Sequence, residues 1–158
     1  MRFLIIGAGM SGILSAIKLR EAGHSDVVIY EKADRLGGTW RENTYPGIAC
    51  DVPSHFYAYS FAPNPEWSHV FSPGAEIQAY FEGVARRYGV DALMRFGKEI
   101  TRLEWRDERW HLTAGDGTTP LPYQAAYLDP TGRTVMLGFR KLFFSVPQRT
   151  RDAGRPAG

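Results

Sequence analysis

This sequence is short of several things, and each shortage removes a class of function. Cys50 is the only cysteine, so no intrachain disulfide can form, and a secreted disulfide scaffold is excluded. The four histidines, His24, His55, His69 and His111, stand at no metal-ligand spacing, which argues against a zinc site. No apolar run is long enough to cross a bilayer. The run after Arg2 is broken by three glycines, and Lys18 and Arg20 follow it, so it does not read as a signal peptide. The cytoplasm is the expected compartment, with no membrane partner.

Net charge is also small. The formal value is +2 over 158 residues: residues 133–158, with Arg133, Arg140, Lys141, Arg149, Arg151 and Arg155 against Asp152 alone, carry +5, and residues 1–132 carry −3. A basic tail on an otherwise slightly acidic chain is a solvated end, not a nucleic-acid face. Residues 149–158 carry nothing apolar larger than alanine or proline and are expected to be unstructured. Hydrophobic residues make up 44% and charged residues 23%, an ordinary globular composition for one domain with a real core.

What is present starts at the N-terminus. Phe3 to Ile6 reads as a buried parallel strand, followed by Gly7-Ala8-Gly9-Met10-Ser11-Gly12 and a helix from about Ser11 to Ala22. Ile13, Leu14, Ala16 and Ile17 should face the sheet, and Gly23 should stop the helix. Val27 to Tyr30 is a second strand, and Glu31 ends it. In this order the residues form a dinucleotide-binding fingerprint. Gly7 permits the tight turn, Gly9 lets backbone approach a pyrophosphate, and Gly12 lets the helix lie close to the sheet. The helix N-terminus offers unpaired N–H groups, Ser11 among them, and the positive end of a dipole. Glu31 can accept hydrogen bonds from both ribose hydroxyls and would repel a 2′-phosphate, so this first site should not hold NADP.

Residues 32–73 have little periodicity yet hold Trp40, Tyr45, Phe56, Tyr57, Tyr59, Phe61, Trp67 and Phe71. A loop of that length is functional or disordered, and this one is too aromatic for disorder. Ser72-Pro73 reads as an N-cap and first helical residue, opening an amphipathic helix that ends at Gly89. Ile77, Tyr80, Phe81, Val84, Ala85 and Tyr88 form its core stripe. Glu99 to Thr113 predicts a hairpin turning at Arg106 to Glu108, with a further turn at Gly115-Asp116-Gly117. The fold class is α/β, a Rossmann-like parallel sheet with a β-hairpin insertion.

The long loop carries a family likeness. Gly37-Gly38-Thr39-Trp40, Tyr45-Pro46-Gly47 and the run from Cys50 to Phe61 closely resemble the N-terminal FAD domain of Baeyer–Villiger-type flavin monooxygenases. The wider class-B flavin monooxygenases are more distantly similar. The likeness runs from residue 2 to about residue 113 and covers the helix and hairpin just described. It implies the FAD half of a two-dinucleotide-binding flavoprotein. Its activity would be NADPH-dependent insertion of one oxygen atom from O₂ into a ketone or a heteroatom of a small molecule.

The resemblance also implies residue roles. Gly38, Thr39 and Trp40 would meet the flavin side of FAD. Asp51 would sit beside the flavin ring and the nicotinamide, helping to place a catalytic arginine, and is the candidate catalytic residue in this chain. Tyr57 would lie against the cofactor, and the backbone of Ile100 would meet the adenine. Read on their own, Trp40 and Tyr57 also fit core aromatics, and Asp51 also fits an Asx-turn before Pro53. Ala49 stands where the family often has arginine.

The family's second glycine fingerprint for NADPH, its linker Phe-x-Gly-x-x-x-His motif and its catalytic arginine have no counterpart here. Residues 126–132 echo the family's strand ending in Ala-Thr-Gly, but Asp129 and Pro130 interrupt it, and Pro130 removes a ladder donor. Residues 145–148 faintly resemble the linker beyond. The expectation is an incomplete FAD-binding domain over residues 1–132 and a divergent basic tail over 133–158, from a truncated or frame-shifted gene product. Such a chain would not be catalytically competent alone. A non-catalytic FAD-binding remnant, or a subunit whose NADPH domain comes from a second chain, is the alternative reading. An NAD-binding module is a third, supported by the fingerprint but opposed by the Gly37–Trp40 loop.

Overall fold

The computed structural model describes residues 2–107 and 109–117. The tail over 133–158, the Asp129-Pro130 segment and the 145–148 linker therefore lie outside the described residues. Strand β1 (Phe3–Ile6) leads through helix α1 (Met10–Glu21) to strand β2 (Val27–Tyr30), and the two strands pair in parallel with Phe3 opposite Val27 and Ile6 opposite Tyr30. This is the βαβ unit expected of a strand, a glycine turn and an amphipathic helix. Gly12, Ile13, Ala16 and Ile17 form the buried face of α1, and Leu14 is partly buried against the core. At the end of α1, His24 N–H donates to Leu19 O and Gly23 N–H to Arg20 O, a Schellman closure.

A short strand was not foreseen. β3 (Met94–Arg95) pairs in parallel with β2 on the side away from β1, giving the order β1-β2-β3. Two residues between a 3₁₀ turn and a glycine carry no periodicity, and their strand character comes from the neighbour. β1 is less buried than its sequence suggests: Ile6 is 46% exposed, because among the described residues β1 pairs only with β2.

Between β2 and β3 lie a one-turn helix α2 (Thr39–Glu42), a 3₁₀ turn at Ser54–Phe56 and the long helix α3 (Gly74–Arg87). The cap of α3 is displaced from its expected place. Pro73, not Ser72, is the N-cap, its carbonyl accepting from Glu76 and Ile77 N–H. Ser72 is fully buried, its N–H donates to Ser54 Oγ (2.7 Å), and its hydroxyl donates to His69 O (3.2 Å). The side chain a cap would have used turns back to a carbonyl three residues earlier.

Helix α3 touches α1 and α2 and brings Ile77, Phe81 and Ala85 into one core with Ile13, Ala16, Ile17, Ile29 and Val90. Phe81 is completely buried, and truncating it to alanine would cost about 3–5 kcal/mol. The loop aromatics divide. Trp40, Tyr57, Tyr59, Phe61 and Trp67 pack against this core, whereas Tyr45, Phe56 and Phe71 are 61%, 83% and 51% exposed. The predicted hairpin forms from β4 (Ile100–Arg106) and β5 (Arg109–Ala114), antiparallel, with Leu103 opposite Leu112 and Trp105 opposite Trp110. Asp107 turns it at φ 51°, a conformation Asp tolerates better than most residues.

Candidate functional site

Two glycine turns meet at the start of α1. Gly7 adopts φ 96°, which the turn out of β1 requires, and its N–H donates to Tyr30 O (2.7 Å). The second turn is fastened to the first, since Gly37 N–H donates to Ala8 O (3.0 Å). Gly38, at φ 55° and ψ −121°, lies so near that a Cβ on it would be 3.3 Å from Gly9 Cα. A Cβ on Gly9 would meet only Gly38 backbone, at 3.7 and 4.0 Å, whereas one on Gly12 would be 1.9 Å from Gly7 O. Gly12 is therefore glycine for packing, as its place in the fingerprint implies. The fold itself has room for more than glycine at position 9. Helix α1 has no side-chain cap and no acidic residue in its first turn, so its N–H groups and positive dipole end are open to an anion.

Glu31 stands at the other edge of this cradle. Its residue is 4% exposed. Oε2 accepts from Ala8 N–H (2.8 Å) and Oε1 from Ala33 N–H (3.0 Å). A buried guanidinium, not foreseen from the sequence, also faces it: Arg41 Nη1 lies 3.3 Å from Glu31 Oε1. Oε2 keeps a lone pair beyond its bond to Ala8, enough for a ribose hydroxyl. The chain from β3 to β4 runs beside this end of β2, with Gly97 N–H on Ala33 O and Lys98 N–H on Glu31 O, both 2.9 Å. Ile100 opens β4 two residues later, on the Glu31 side of the site.

A second group lies beyond Gly38. Trp40 Nε1–H donates to Tyr57 Oη (3.2 Å), and the rings meet edge to face at 5.5 Å. Burial raises the Tyr57 phenol above its usual pKa. The Trp40 N–H opposes the shift, and Cys50 and Asp51 add to it through their charge. Asp51 is exposed, and its carboxylate accepts no hydrogen bond among the described residues, so the Asx-turn alternative has no bond behind it. Thr39 is exposed at the start of α2. Gly7, Gly9, Gly12, Gly38 and Glu31 are thus brought together directly, with Trp40, Tyr57 and Asp51 as a neighbouring cluster. The fit to a dinucleotide is good: uncapped N–H groups, a glycine whose absent side chain the fold does not demand, and a fixed carboxylate.

Sequence reasoning passed over three supporting residues. Tyr59 is buried, and its hydroxyl donates to Met10 O in the first turn of α1. Burial, with Tyr80 and Tyr57 adding, raises its pKa far beyond its ordinary range, so it stays a neutral donor. Gln78 Nε2 donates to Leu36 O (2.9 Å), and its amide fills the place a Cβ on Gly37 would take. Arg41 is the third. Only Tyr59 had a signal, as one of a cluster of aromatics in a loop.

The family described as an NAD(P)-binding Rossmann-like domain matches residues 5–73. A Baeyer–Villiger monooxygenase of Streptomyces coelicolor is 48% identical over 120 residues, covering 75% of this chain and 23% of that protein. The open crystal structure of cyclohexanone monooxygenase superposes with TM-score 0.69 at 34% identity, over 75% of this chain and 24% of that one. Over these residues the chain is similar to the Baeyer–Villiger-type monooxygenases. A further neighbour is OTEMO in complex with FAD and NADP, with TM-score 0.70 and 30% identity, over 75% of this chain and 24% of that one. The chain thus spans about a quarter of the length of such relatives. The α/β Rossmann-like class holds, and no helix among the described residues is long and apolar enough to cross a membrane.

Proposed function

We propose that this chain holds FAD and serves NADPH-dependent monooxygenation of a small molecule. The observation that carries this reading is the contact of Gly9 with Gly38 at an uncapped helix N-terminus, with Glu31 fixed on the Ala8 N–H. The pyrophosphate would lie on the first turn of α1, the adenosine ribose at Glu31 and the flavin toward Trp40, Asp51 and Tyr57. Bound FAD supplies the redox chemistry of reduction by NADPH and oxygen transfer to a ketone or sulfide. The protein's own part is placement, charge and exclusion of water. Glu31 and the N–H groups of α1 hold the cofactor's adenosine and phosphates, while Trp40 and Tyr57 form a half-buried aromatic wall. Asp51, exposed and charged beside Tyr57, is the candidate for placing a catalytic arginine from elsewhere. We place the protein in the cytoplasm.

One observation favours a second reading. The described residues contain one glycine fingerprint. In that reading it is an FAD-binding unit whose NADPH domain comes from a second chain, or a non-catalytic remnant. A single assay separates the two. Purified chain is loaded with FAD, and NADPH oxidation, peroxide and oxygenated product are measured together on a panel of ketones and sulfides. Holding a nicotinamide at reacting distance is a positioning task. The FAD-binding-unit reading predicts slow NADPH use that yields peroxide and no product. Oxygenated product in step with NADPH consumed would refute it and establish a competent monooxygenase.

A further inference from the structure

Arg41 is the feature that neither the fingerprint nor the aromatic loop explains. Its side chain is 6% exposed, as buried as that of Glu31 facing it, and burying two charges is costly unless both are well held. Both are. Nη1 donates to Arg35 O (2.6 Å) and lies 3.3 Å from Glu31 Oε1, and Nη2 donates to Glu42 Oε1 (2.8 Å). These contacts close a circuit. Arg41 N–H donates to Gly38 O (3.1 Å), Gly37 N–H to Ala8 O (3.0 Å), and Ala8 N–H to Glu31 Oε2 (2.8 Å). Arg41 then completes the loop back to Glu31.

We propose that Arg41 is a positioning residue for the adenosine-ribose subsite. It blocks the Oε1 side of Glu31 together with Ala33 N–H, so a ribose hydroxyl is received by Oε2 alone. By the same contact it locks the Gly37–Gly38 turn against the fingerprint turn. A single acceptor oxygen, held from behind by a fixed planar cation, gives the carboxylate one orientation before any ligand arrives. The inference deepens the proposed function and rests on its placing of adenosine at Glu31, but it does not require a flavin.

The test uses ADP, which carries the adenosine ribose and the diphosphate without the flavin. ADP affinity is measured by titration calorimetry on the full chain for the wild type, Arg41→Met, Arg41→Lys, Glu31→Gln and the double variant Glu31→Gln/Arg41→Met. Arg41→Met should weaken ADP about tenfold, and Arg41→Lys should recover part of that loss by restoring charge without the planar fork. In the Glu31→Gln background the same Arg41→Met change should alter affinity by less than about twofold, since its target is gone. Equal losses in both backgrounds would mean that Arg41 acts on the fold generally, and would overturn the proposal. So would unchanged affinity in Arg41→Met, or a wild-type chain that binds no ADP. Should Arg41→Met fail to fold, the double variant decides: affinity equal to that of Glu31→Gln supports the proposal, and a further loss overturns it. A wild-type chain that gives this coupling with ADP yet binds no FAD would remove the flavin reading and leave this one standing.

Discussion

Gly12 passes so close to Gly7 that a Cβ on it would stand 1.9 Å from the Gly7 carbonyl oxygen, with Ile5 Cγ2 at 3.4 Å. That contact sets how near α1 comes to the sheet. The obstacle is backbone, which cannot turn aside as a flexible side chain would. Gly12→Ala should therefore destabilise the chain by about 1–3 kcal/mol through overpacking, read as a lower urea midpoint whether or not a ligand is present.

Tyr59 fastens the aromatic loop to the helix that the site depends on. Its hydroxyl donates to Met10 O, and its own N–H donates to Tyr80 Oη (2.8 Å), which in turn donates to Ala62 O (2.8 Å). Tyr59→Phe leaves a carbonyl in the first turn of α1 without that donor and should cost about 1–3 kcal/mol of unfolding free energy in a denaturant titration. Tyr80→Phe should be destabilising in the same sense, because it breaks the next link of the chain.

Acid should loosen the start of α3. The Glu76 carboxylate accepts from Ser68 Oγ–H (2.6 Å) and Ser68 N–H (2.9 Å), and these bonds hold its pKa below the ordinary 4.5. A carboxylate lowered in the folded state contributes its stability above the unfolded value and loses it as pH falls through the folded one. The urea midpoint should decline across that acid window. Glu76→Gln should remove that part of the decline while leaving the rest of the pH profile in place.

Much of this was legible in the sequence because local chemistry and tertiary fold agree. Apolar residues at strand and helix spacing, closed by Gly23, gave β1, α1 and β2 to within a residue, and the hairpin followed from alternating apolar positions around Arg106 to Glu108. Failures came where a distant partner decides. Met94 and Arg95 are a strand only because β2 lies beside them. Ser72 is held by its backbone N–H on Ser54 Oγ, 18 residues away, while its hydroxyl bonds His69 O and does not cap α3. Among the candidate site residues, Gly7, Gly9, Gly12 and Glu31 could be read from spacing alone, and Trp40, Asp51 and Tyr57 were proposed through family likeness. Arg41 could not be read, since an arginine in a polar stretch gives no sign that it will be buried against a carboxylate ten positions earlier.

The central claim is that the Gly9 turn is where a dinucleotide comes to the backbone. Gly9→Ala tests it most directly, because the fold itself has room for that methyl group, whose nearest neighbour would be Gly38 Cα at 3.7 Å. FAD affinity of the wild type and the variant is measured by quenching of flavin fluorescence, with the urea midpoint of each recorded alongside. The expected result is FAD binding by the wild type, a loss of roughly tenfold or more in Gly9→Ala, and an unchanged midpoint. Equal affinity for FAD in the two proteins, at equal stability, would contradict it.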